Sequence, residues 1–187
     1  MSLTGKTVAF LVSAEGIEQA ELTEPWGAVL EAGGTPKLVS AESGTVQAFQ
    51  HLDPSDVFPV DVTLGEADPA TFDALMLPGG VANGDELRTE TAAVDFVSAI
   101  AAAGKPIGVI CHGGWVLIEA DVVSGRTLTS WPSLQTDYRN ASATWVDEEV
   151  VVDDGPFTLV SSRSPDDLPA FNRELIRAVE AVESVRG

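Results

Sequence analysis

The amino-acid sequence predicts an α/β fold with three layers: a mostly parallel sheet with helices on both faces. Two observations carry this prediction. Short apolar segments alternate with helical patterns, and no repeat, low-complexity tract or linker divides the chain. The 187 residues, 44% hydrophobic and 21% charged, suit one domain with a packed core. We therefore expect residues 1–187 to form a single domain.

The first half of the chain carries three strand signals and one helix signal. Apolar runs predict buried strands at Thr7 to Val12, Lys37 to Ser40 and Asp73 to Leu77. Pro78-Gly79-Gly80 ends the last of these strands. A helix is predicted from about Glu18 to Ala32, where Gly33-Gly34 stop it, with Pro25 bending it or marking a fresh start. Its apolar residues with helical spacing are Leu22, Trp26, Val29 and Leu30.

The second half continues the alternation. A helix is predicted from Thr91 to Ala103, then an apolar strand from Pro106 to Ile110 that suits the centre of a sheet. Cys111 follows this strand directly, and His112 to Ala120 has a helical pattern. The residues expected to face inward from the first of these helices are Val94, Phe96, Val97 and Ile100.

Short strands and a final helix complete the predicted order. The strand signals between Arg126 and Ser162 are Trp145-Val146, Val150 to Val152 and Thr158 to Val160. The last helix is predicted to begin with Ser164 as cap and Pro165 at the first position. Its inner stripe is predicted as Leu168, Phe171, Leu175, Val179 and Val182.

The charge and composition of the chain limit its possible partners and its cellular compartment. The formal net charge of −19, from 29 acidic and 10 basic residues, repels phosphate backbones, so we expect no nucleic acid as partner. The apolar runs are too short for a membrane span, and Thr7 to Val12 is too short for a signal-peptide core. A single cysteine forms no internal disulfide. The expected localisation is cytoplasmic, without a membrane partner.

The inventory of metal ligands is small. His51, His112 and Cys111 cannot fill a tetrahedral structural zinc site. A carboxylate-only site stays open, although no loop has the spacing of calcium ligands. We expect no metal and no cofactor. His51 is interpreted as a loop or surface histidine, with a smaller chance of a role at the rim of a substrate site.

The segment from Gly108 to Gly114 carries the strongest chemical signal. A side chain at the junction of strand and helix is exposed at the carboxyl edge of the sheet, where open α/β sheets place their sites. Gly113 allows the tight turn. The helix start and the adjacent His112 predict a thiolate near neutral pH, with a thiol pKa lowered from about 8.5 to around 4–7. Backbone N–H groups near His112 and in the Gly79-Gly80 turn are candidates for binding an oxyanion.

The alternative is that Cys111 is only a small buried hydrophobic residue, as lone cysteines often are. The sole cysteine, however, falls at the best catalytic position of the fold and beside one of two histidines. This coincidence favours a functional thiol.

The sequence also resembles the PfpI-type intracellular protease family over nearly its whole length. That superfamily includes the parkinsonism-associated protein and has the class I glutamine amidotransferase-like fold, so the resemblance implies a flavodoxin-like sheet. The segments that carry it, in chain order, are Glu18 to Leu22, Phe72 to Gly80, Pro106 to Gly113, Gly125-Arg126, Ser130 to Ser133, Trp145 to Asp147 and Ser161 to Arg163.

The resemblance implies roles for particular residues. Cys111 is the implied nucleophile and His112 its neighbouring base, while a carboxyl group from the helix after the first strand bonds the thiol. Matched spacing assigns that carboxyl to Glu21, with Glu18 beside it. An acid past the Pro-Gly-Gly turn of a neighbouring subunit would reach the histidine; Asp85 matches best and Glu86 second. The residues predicted for the oxyanion site or the pocket are Gly80, Gly113, Glu18 and Trp131, and Trp131 stands where a tyrosine is common. The family implies a homodimer, sometimes assembled further.

Three functions are compatible with these residues. The first is a cysteine hydrolase that cleaves peptides, amides or thioesters. The second is a deglycase or glyoxalase-III-like enzyme in which Cys111 adds to methylglyoxal or its adducts. The third is a non-enzymatic stress sensor or chaperone-like protein in which Cys111 oxidises to sulfenic or sulfinic acid. Because the third triad member is uncertain while aldehyde chemistry needs only the thiol and a proton carrier, we rank a stress-linked cysteine enzyme first and the sensor second.

Overall fold

The structure is a computed structural model that describes residues 2–182. Its strands are β1 (Thr7–Leu11), β2 (Glu15–Glu18), β3 (Thr35–Ser40), β4 (Thr45–Gln50), β5 (Asp53–Pro59), β6 (Val62–Thr63), β7 (Ala74–Leu77), β8 (Ile107–Ile110), β9 (Thr127–Leu128), β10 (Thr144–Trp145), β11 (Val151–Asp154) and β12 (Thr158–Ser162). Its helices are α1 (Gln19–Glu31), α2 (Val81–Thr89), α3 (Thr91–Ala102), α4 (Trp115–Glu119), α5 (Gln135–Asn140) and α6 (Leu168–Ala181). Short 3₁₀ turns lie at Pro69–Thr71, Pro132–Leu134 and Pro165–Asp167.

The central sheet has seven strands in the order β11-β12-β8-β7-β1-β3-β6. Strand β11 runs antiparallel to β12, and every other neighbouring pair is parallel. Strands β2, β4 and β5 form a small second sheet, and β9 pairs with β10. Because β8 lies between β7 and β12, the residue after β8 emerges in the middle of the carboxyl edge of the sheet.

The sheet separates two hydrophobic cores. In β1, Ala9 and Leu11 face one core, while Val8 and Phe10 face the other. Helices α3 and α4 cover the first face, and helices α1 and α6 cover the second. This alternation is what a buried parallel strand with helices on both sides requires. The predicted three-layer, mostly parallel α/β fold is confirmed.

Several predicted details differ from the structure. Helix α1 runs through Pro25, so Pro25 does not begin a new helix, and Leu30 is 54% exposed because it lies on the solvent side of the helix. Ser164 makes no side-chain cap; the carboxylate of Asp167 instead accepts a hydrogen bond from the backbone N–H of Arg163 at 3.0 Å. Val182 is only half-buried at the end of the predicted stripe.

Two elements near the carboxyl edge were not predicted. Strand β5 of the β4–β5 hairpin has prolines at positions 54 and 59 and is poorly buried, so its sequence resembles that of a loop. Helix α2 follows the Pro-Gly-Gly turn with little apolar periodicity, since its buried residues include Asn83 and Gly84. No helix within residues 2–182 is long and apolar enough to cross a membrane.

Candidate active site

Cys111 lies at the junction of β8 and the turn that precedes α4. Its backbone φ is 59°, in the left-handed region that side-chain-bearing residues rarely adopt. Its N–H donates to the carbonyl of Ser162 at 3.1 Å, and its carbonyl accepts from the N–H of Trp131 at 3.3 Å. The side chain is 8% exposed. Backbone contacts on both sides therefore fix the direction of the thiol.

The turn after Cys111 depends on close backbone approach at Gly113. Its N–H donates to the carbonyl of Ile110 at 3.0 Å, and a Cβ there would lie 2.6 Å from the carbonyl oxygen of Pro78. Gly113 thus packs beneath the turn and does not line the cleft described below. The helix begins only at Trp115 and has five residues, so the predicted helix from His112 is wrong at its start.

Glu21 is buried directly beside the thiol. A Cβ on Gly79 would overlap Oε2 of Glu21 and would lie 2.6 Å from Cβ of Cys111, so glycine is what lets these groups face each other. Within residues 2–182, neither carboxyl oxygen makes a hydrogen bond of regular geometry. Burial, followed by the charge of Glu18, raises the pKa of Glu21 to about 8. Glu21 therefore holds its proton at neutral pH.

The acidity of the thiol departs from the sequence-based expectation. Burial raises the pKa of Cys111 above its ordinary value, and an ionised Glu21 raises it further. The backbone N–H groups of Gly80 and His112 act in the opposite direction. The predicted lowering relied on a helix dipole at Cys111, but α4 starts four residues later and is too short to supply one.

His112 is held by contacts on both ring nitrogens. Its Nδ1 lies 3.2 Å from Sγ of Cys111, and its Nε2 lies 3.2 Å from Oγ of Ser133. Trp131 stacks on the imidazole with ring centroids 5.9 Å apart, and Trp115 approaches to 5.3 Å from a tilted orientation. Burial lowers the pKa of His112. Ser133 was not predicted as a site residue.

A cleft of about 950 Å³ opens above these groups. It brings together seven of the predicted site residues: Glu18, Glu21, Gly80, Asp85, Cys111, His112 and Trp131. His51 also lines it, on the β4–β5 turn. Asp85 is exposed and makes no hydrogen bond with the His112 ring within the described chain, and Glu86 does not line the cleft.

The cleft is acidic. Its outer carboxylates are Glu15, Glu18, Asp85 and Asp166, and no lysine or arginine of the described residues lines it. The two arginines nearby are already paired. Arg88 lies 3.5 Å from Glu119, and Arg163 binds Asp147 and Asp167 at 2.7 and 2.9 Å.

Helix α2 and its buried Asn83 brace the site. The Asn83 amide donates to the carbonyls of Pro78 and Gly79 at 3.0 and 3.1 Å, and its Oδ1 accepts from the N–H of Ser13 at 2.8 Å. A Cβ on Gly84 would overlap the backbone carbonyl of His112. This bracing could not be predicted, because Asn83 and Gly84 lie in a segment whose sequence has little helical periodicity.

Comparison with known proteins identifies the family of this chain. The profile of the DJ-1/PfpI family matches residues 6–178. "Protein/nucleic acid deglycase 2" of Escherichia coli and "General stress protein 18" of Bacillus subtilis are each 40% identical to this chain, with matches that span 94% of it and 99% of those proteins. The solved structure of Drosophila melanogaster DJ-1beta is similar with a TM-score of 0.81 at 25% identity, covering 97% of this chain and 96% of that one. The resemblance predicted from the sequence is confirmed, and the chain belongs to the DJ-1/PfpI family.

Proposed function

We propose that this protein is a stress-linked cysteine enzyme that attacks the carbonyl of small aldehydes, methylglyoxal above all, or of their adducts on amines. One observation carries this proposal: a buried carboxyl group that keeps its proton at neutral pH lies against the thiol at the end of an open cleft. Such an arrangement provides a nucleophile and a proton donor in the same small space.

The chemistry follows from the positions of the groups. As Sγ of Cys111 forms a bond to the aldehyde carbon, the thiol proton passes to Nδ1 of His112 and the carbonyl π pair moves to oxygen. The N–H groups of Gly80 and His112, which act on the sulfur, are the candidate donors to that oxygen, and a proton from Glu21 or His112 neutralises it. Transfer of the C1 proton to C2 of the hemithioacetal then gives a lactoyl thioester, which water cleaves to lactate. The net reaction adds one water and needs no oxidant.

The character of the cleft supports uncharged or cationic substrates. Its carboxylates and the net charge of −19 repel anions. Methylglyoxal is neutral, and its adducts on lysine or arginine side chains are neutral or cationic. The name of the Escherichia coli relative, a deglycase, agrees with this substrate class.

Lactate formation from methylglyoxal, without added thiol, tests the proposal. Cys111→Ser should fall to background, and Glu21→Gln, which keeps shape but loses the proton, should fall by about a hundredfold or more. Thr136→Ala, an exposed change on α5, is the matched control. Lactate formation that persists in Cys111→Ser would remove the proposal.

Peptide hydrolysis is the second candidate, because Asp85 is exposed at the cleft rim and free to reach the histidine of a second copy. This function needs the homodimer that the family implies, which we also propose; Val81, 57% exposed on the same helix, is an apolar residue for such a contact. Casein or fluorogenic-peptide cleavage that is unaffected by His112→Ala would contradict the peptidase.

The contact between the Cys111 thiol and the Glu21 carboxyl is also compatible with the alternative function, an oxidative-stress sensor. A cytoplasmic location, which we propose from the single free cysteine, would suit either role. Mass spectrometry that shows Cys111 unchanged under mild peroxide would exclude the sensor.

A further inference from the structure

We propose that Trp131 stabilises the imidazolium form of His112, because its indole ring stacks on the imidazole and attracts a positive charge there. Trp131 thus acts through His112, as a positioning residue, when the Cys111 thiol gives up its proton. The inference rests on the proposed function for its part in catalysis. It concerns the face of the imidazole, so it adds to the action of any acid that reaches a ring nitrogen from a neighbouring subunit.

The contact between the two rings carries this inference. The ring centroids of Trp131 and His112 lie 5.9 Å apart with an angle of 29° between the planes, so the rings are stacked. The face of an indole is negative, and it attracts a cation that lies within about 6 Å of the ring centre. Tryptophan does this better than any other aromatic residue. An imidazolium at His112 therefore lies within the range of this attraction.

The backbone of Trp131 is anchored to the nucleophile turn. Its N–H donates to the carbonyl of Cys111 at 3.3 Å. Its carbonyl accepts from the N–H of Leu134 at 3.1 Å and from the hydroxyl of Ser130 at 2.9 Å. Trp131 itself is 38% exposed and lines the cleft. These contacts hold the indole beside the reacting groups.

The second indole next to His112, that of Trp115, is engaged with other groups. Its ring centroid lies 5.3 Å from that of the imidazole, but the rings are tilted by 58°. The guanidinium of Arg88 lies over the Trp115 ring at 5.8 Å, and Nε1 of Trp115 donates to Asp137 at 2.9 Å. A ring that already attracts one cation attracts a second one less, so we assign the stabilisation to Trp131.

The reaction needs such stabilisation because the site is buried. Burial lowers the pKa of His112 and raises that of Cys111, so it favours the neutral form of each group. As Sγ bonds to the substrate carbon, the S–H bond breaks and the proton moves to Nδ1, 3.2 Å away. The positive charge then spreads over the imidazole, whose face meets Trp131. The indole therefore stabilises the transition state more than the resting state.

The charged groups around His112 act on it in a different direction from the indole. A hydrogen bond to a ring nitrogen, such as the contact of Ser133 with Nε2 at 3.2 Å, runs near the plane of the imidazole, whereas the indole meets its face. Substitutions of Trp131 leave all the charged and titratable groups in place. Those that line the cleft are Glu15, Glu18, Glu21, His51, Asp85, Cys111 and Asp166, and those that contact Trp115 are Arg88 and Asp137.

Substitutions at position 131 test the inference through the pKa of His112, measured by NMR of the imidazole in the Cys111→Ser background. If the indole stabilises the charge, Trp131→Leu lowers this pKa by about 0.5 to 1 unit, and Trp131→Phe lowers it less. If the indole only shields the imidazole from water, its removal raises the pKa towards the ordinary value. The sign of the shift therefore separates the two roles.

The NMR experiment has two controls. Trp26→Phe changes an indole that packs on Phe10 outside the cleft, and it should leave the pKa of His112 unchanged. The signal of the other histidine, His51, is identified by its loss in His51→Gln.

Fluorinated tryptophan weakens the attraction while nearly keeping the shape of the ring. Incorporation of 5,7-difluorotryptophan makes the faces of all four indoles less negative, and we expect the pKa of His112 to fall by roughly a few tenths of a unit. The same incorporation into Trp131→Phe should have almost no effect, because the ring that stacks on the imidazole is then phenylalanine. An equal fall in both proteins would assign the effect to Trp115 and overturn the inference.

Lactate formation connects the pKa with catalysis. Trp131→Leu should lower kcat/KM for methylglyoxal by about three- to tenfold, and Trp131→Phe should keep most of the activity. A pKa of His112 that rises or stays the same in Trp131→Leu overturns the inference. A fall in the pKa with an unchanged kcat/KM also overturns it, since the charge then plays no part in the reaction. If the pKa falls as expected but the wild type forms no lactate, the proposed function fails and the stabilisation of the imidazolium stands.

Discussion

Two regions of this molecule bury acidic side chains in opposite ways. At the junction of β9 and β11, Nε of Arg126 lies 2.5 Å from Asp153, and the Arg126 side chain is 7% exposed. The Arg126 guanidinium also donates to the carbonyl of Phe157 at 2.8 Å, and Asp153 accepts from the N–H of Thr127 at 2.8 Å. At the carboxyl edge, Glu21 is fully buried beside a thiol, and no cation among the described residues acts on it.

The difference shows which buried polar group is structural and which is poised to react. Arg126 and Asp153 neutralise each other and join three segments of backbone, so their arrangement resists change. Glu21 lacks a compensating charge, so its proton is retained and remains available for transfer. A buried carboxyl without a cation, in a cleft and against a nucleophile, is the pattern expected of a reactive site.

Breaking the paired region should have the largest effect. Asp153→Asn leaves the buried guanidinium of Arg126 without its anion, and we expect the free energy of unfolding to fall by about 4 kcal/mol. Urea denaturation measures this change. The alkylation rate of Cys111 in the folded protein should be unaffected; a variant that lost thiol reactivity as well would mean that the two regions are not independent.

Changing the unpaired carboxyl should act with the opposite sign and depend on pH. The pKa of Glu21 is about 8 when folded and near 4.5 when unfolded, so its contribution to stability is fully present below about pH 4.5 and lost as pH rises towards 8. Because glutamine does not ionise, Glu21→Gln removes this loss of stability at higher pH. At pH 7 the variant should be more stable than the wild type by about 3 kcal/mol, since pH 7 lies about 2.5 units above the unfolded pKa and each unit is worth about 1.4 kcal/mol.

Urea denaturation at pH 4 and pH 7 gives the comparison for Glu21→Gln. Near pH 4 the difference between variant and wild type should almost vanish, because Glu21 is then largely protonated in both the folded and the unfolded protein. An equal difference at both pH values would contradict the raised pKa.

Tyr138 is a third kind of buried polar group, unpaired within the described chain but outside the cleft. Its hydroxyl packs over Gly114 and has no hydrogen-bond partner within the described chain. Tyr138→Phe should raise the free energy of unfolding by about 1 kcal/mol, because it removes an unsatisfied polar group. Lactate formation should stay unchanged. A loss of stability would show that the hydroxyl has a partner, such as a buried water.

The smallest expected effect concerns the acidic cleft. 4-Carboxyphenylglyoxal presents the same ketoaldehyde group as phenylglyoxal but carries a carboxylate. We expect its kcat/KM to be lower by a few-fold at low ionic strength, with the difference narrowing as salt screens the field. Rates for both substrates across a salt series measure this. A preference for the carboxylate-bearing substrate would mean that a cation outside the described residues, or one from a partner, faces the cleft.

The sequence predicted the sheet well where its residues are buried on both faces. Strands β1, β7 and β8 are apolar runs that only a central parallel position explains, and the placement of Cys111 after β8 follows from them. The β5 strand and α2 escaped prediction because both lie at the rim, where pairing and packing rather than local composition decide the structure. The order of the central elements therefore follows from the local sequence, whereas the structure of the rim depends on tertiary contacts.

The sequence predicted several of the residues that form the site, but it did not predict their pKa values. The position of Glu21 one turn into α1 gives no sign that the chain buries it completely. The acidity of Cys111 depends on that burial and on the late start of α4, neither of which a strand-to-helix pattern contains. Ser133 lies 21 positions from His112 along the chain, and only the fold brings them into contact.

The left-handed backbone at Cys111 has a consequence for how this position tolerates change. Side chains with a Cβ lose roughly 1 kcal/mol or more in that conformation, and glycine does not. Cys111→Gly should therefore be a better-folded protein than Cys111→Ala, although neither has a nucleophile. The fold alone would favour the smallest residue here, so the sulfur is kept against the preference of the main chain, and stability is sacrificed at the one place where the reaction needs it.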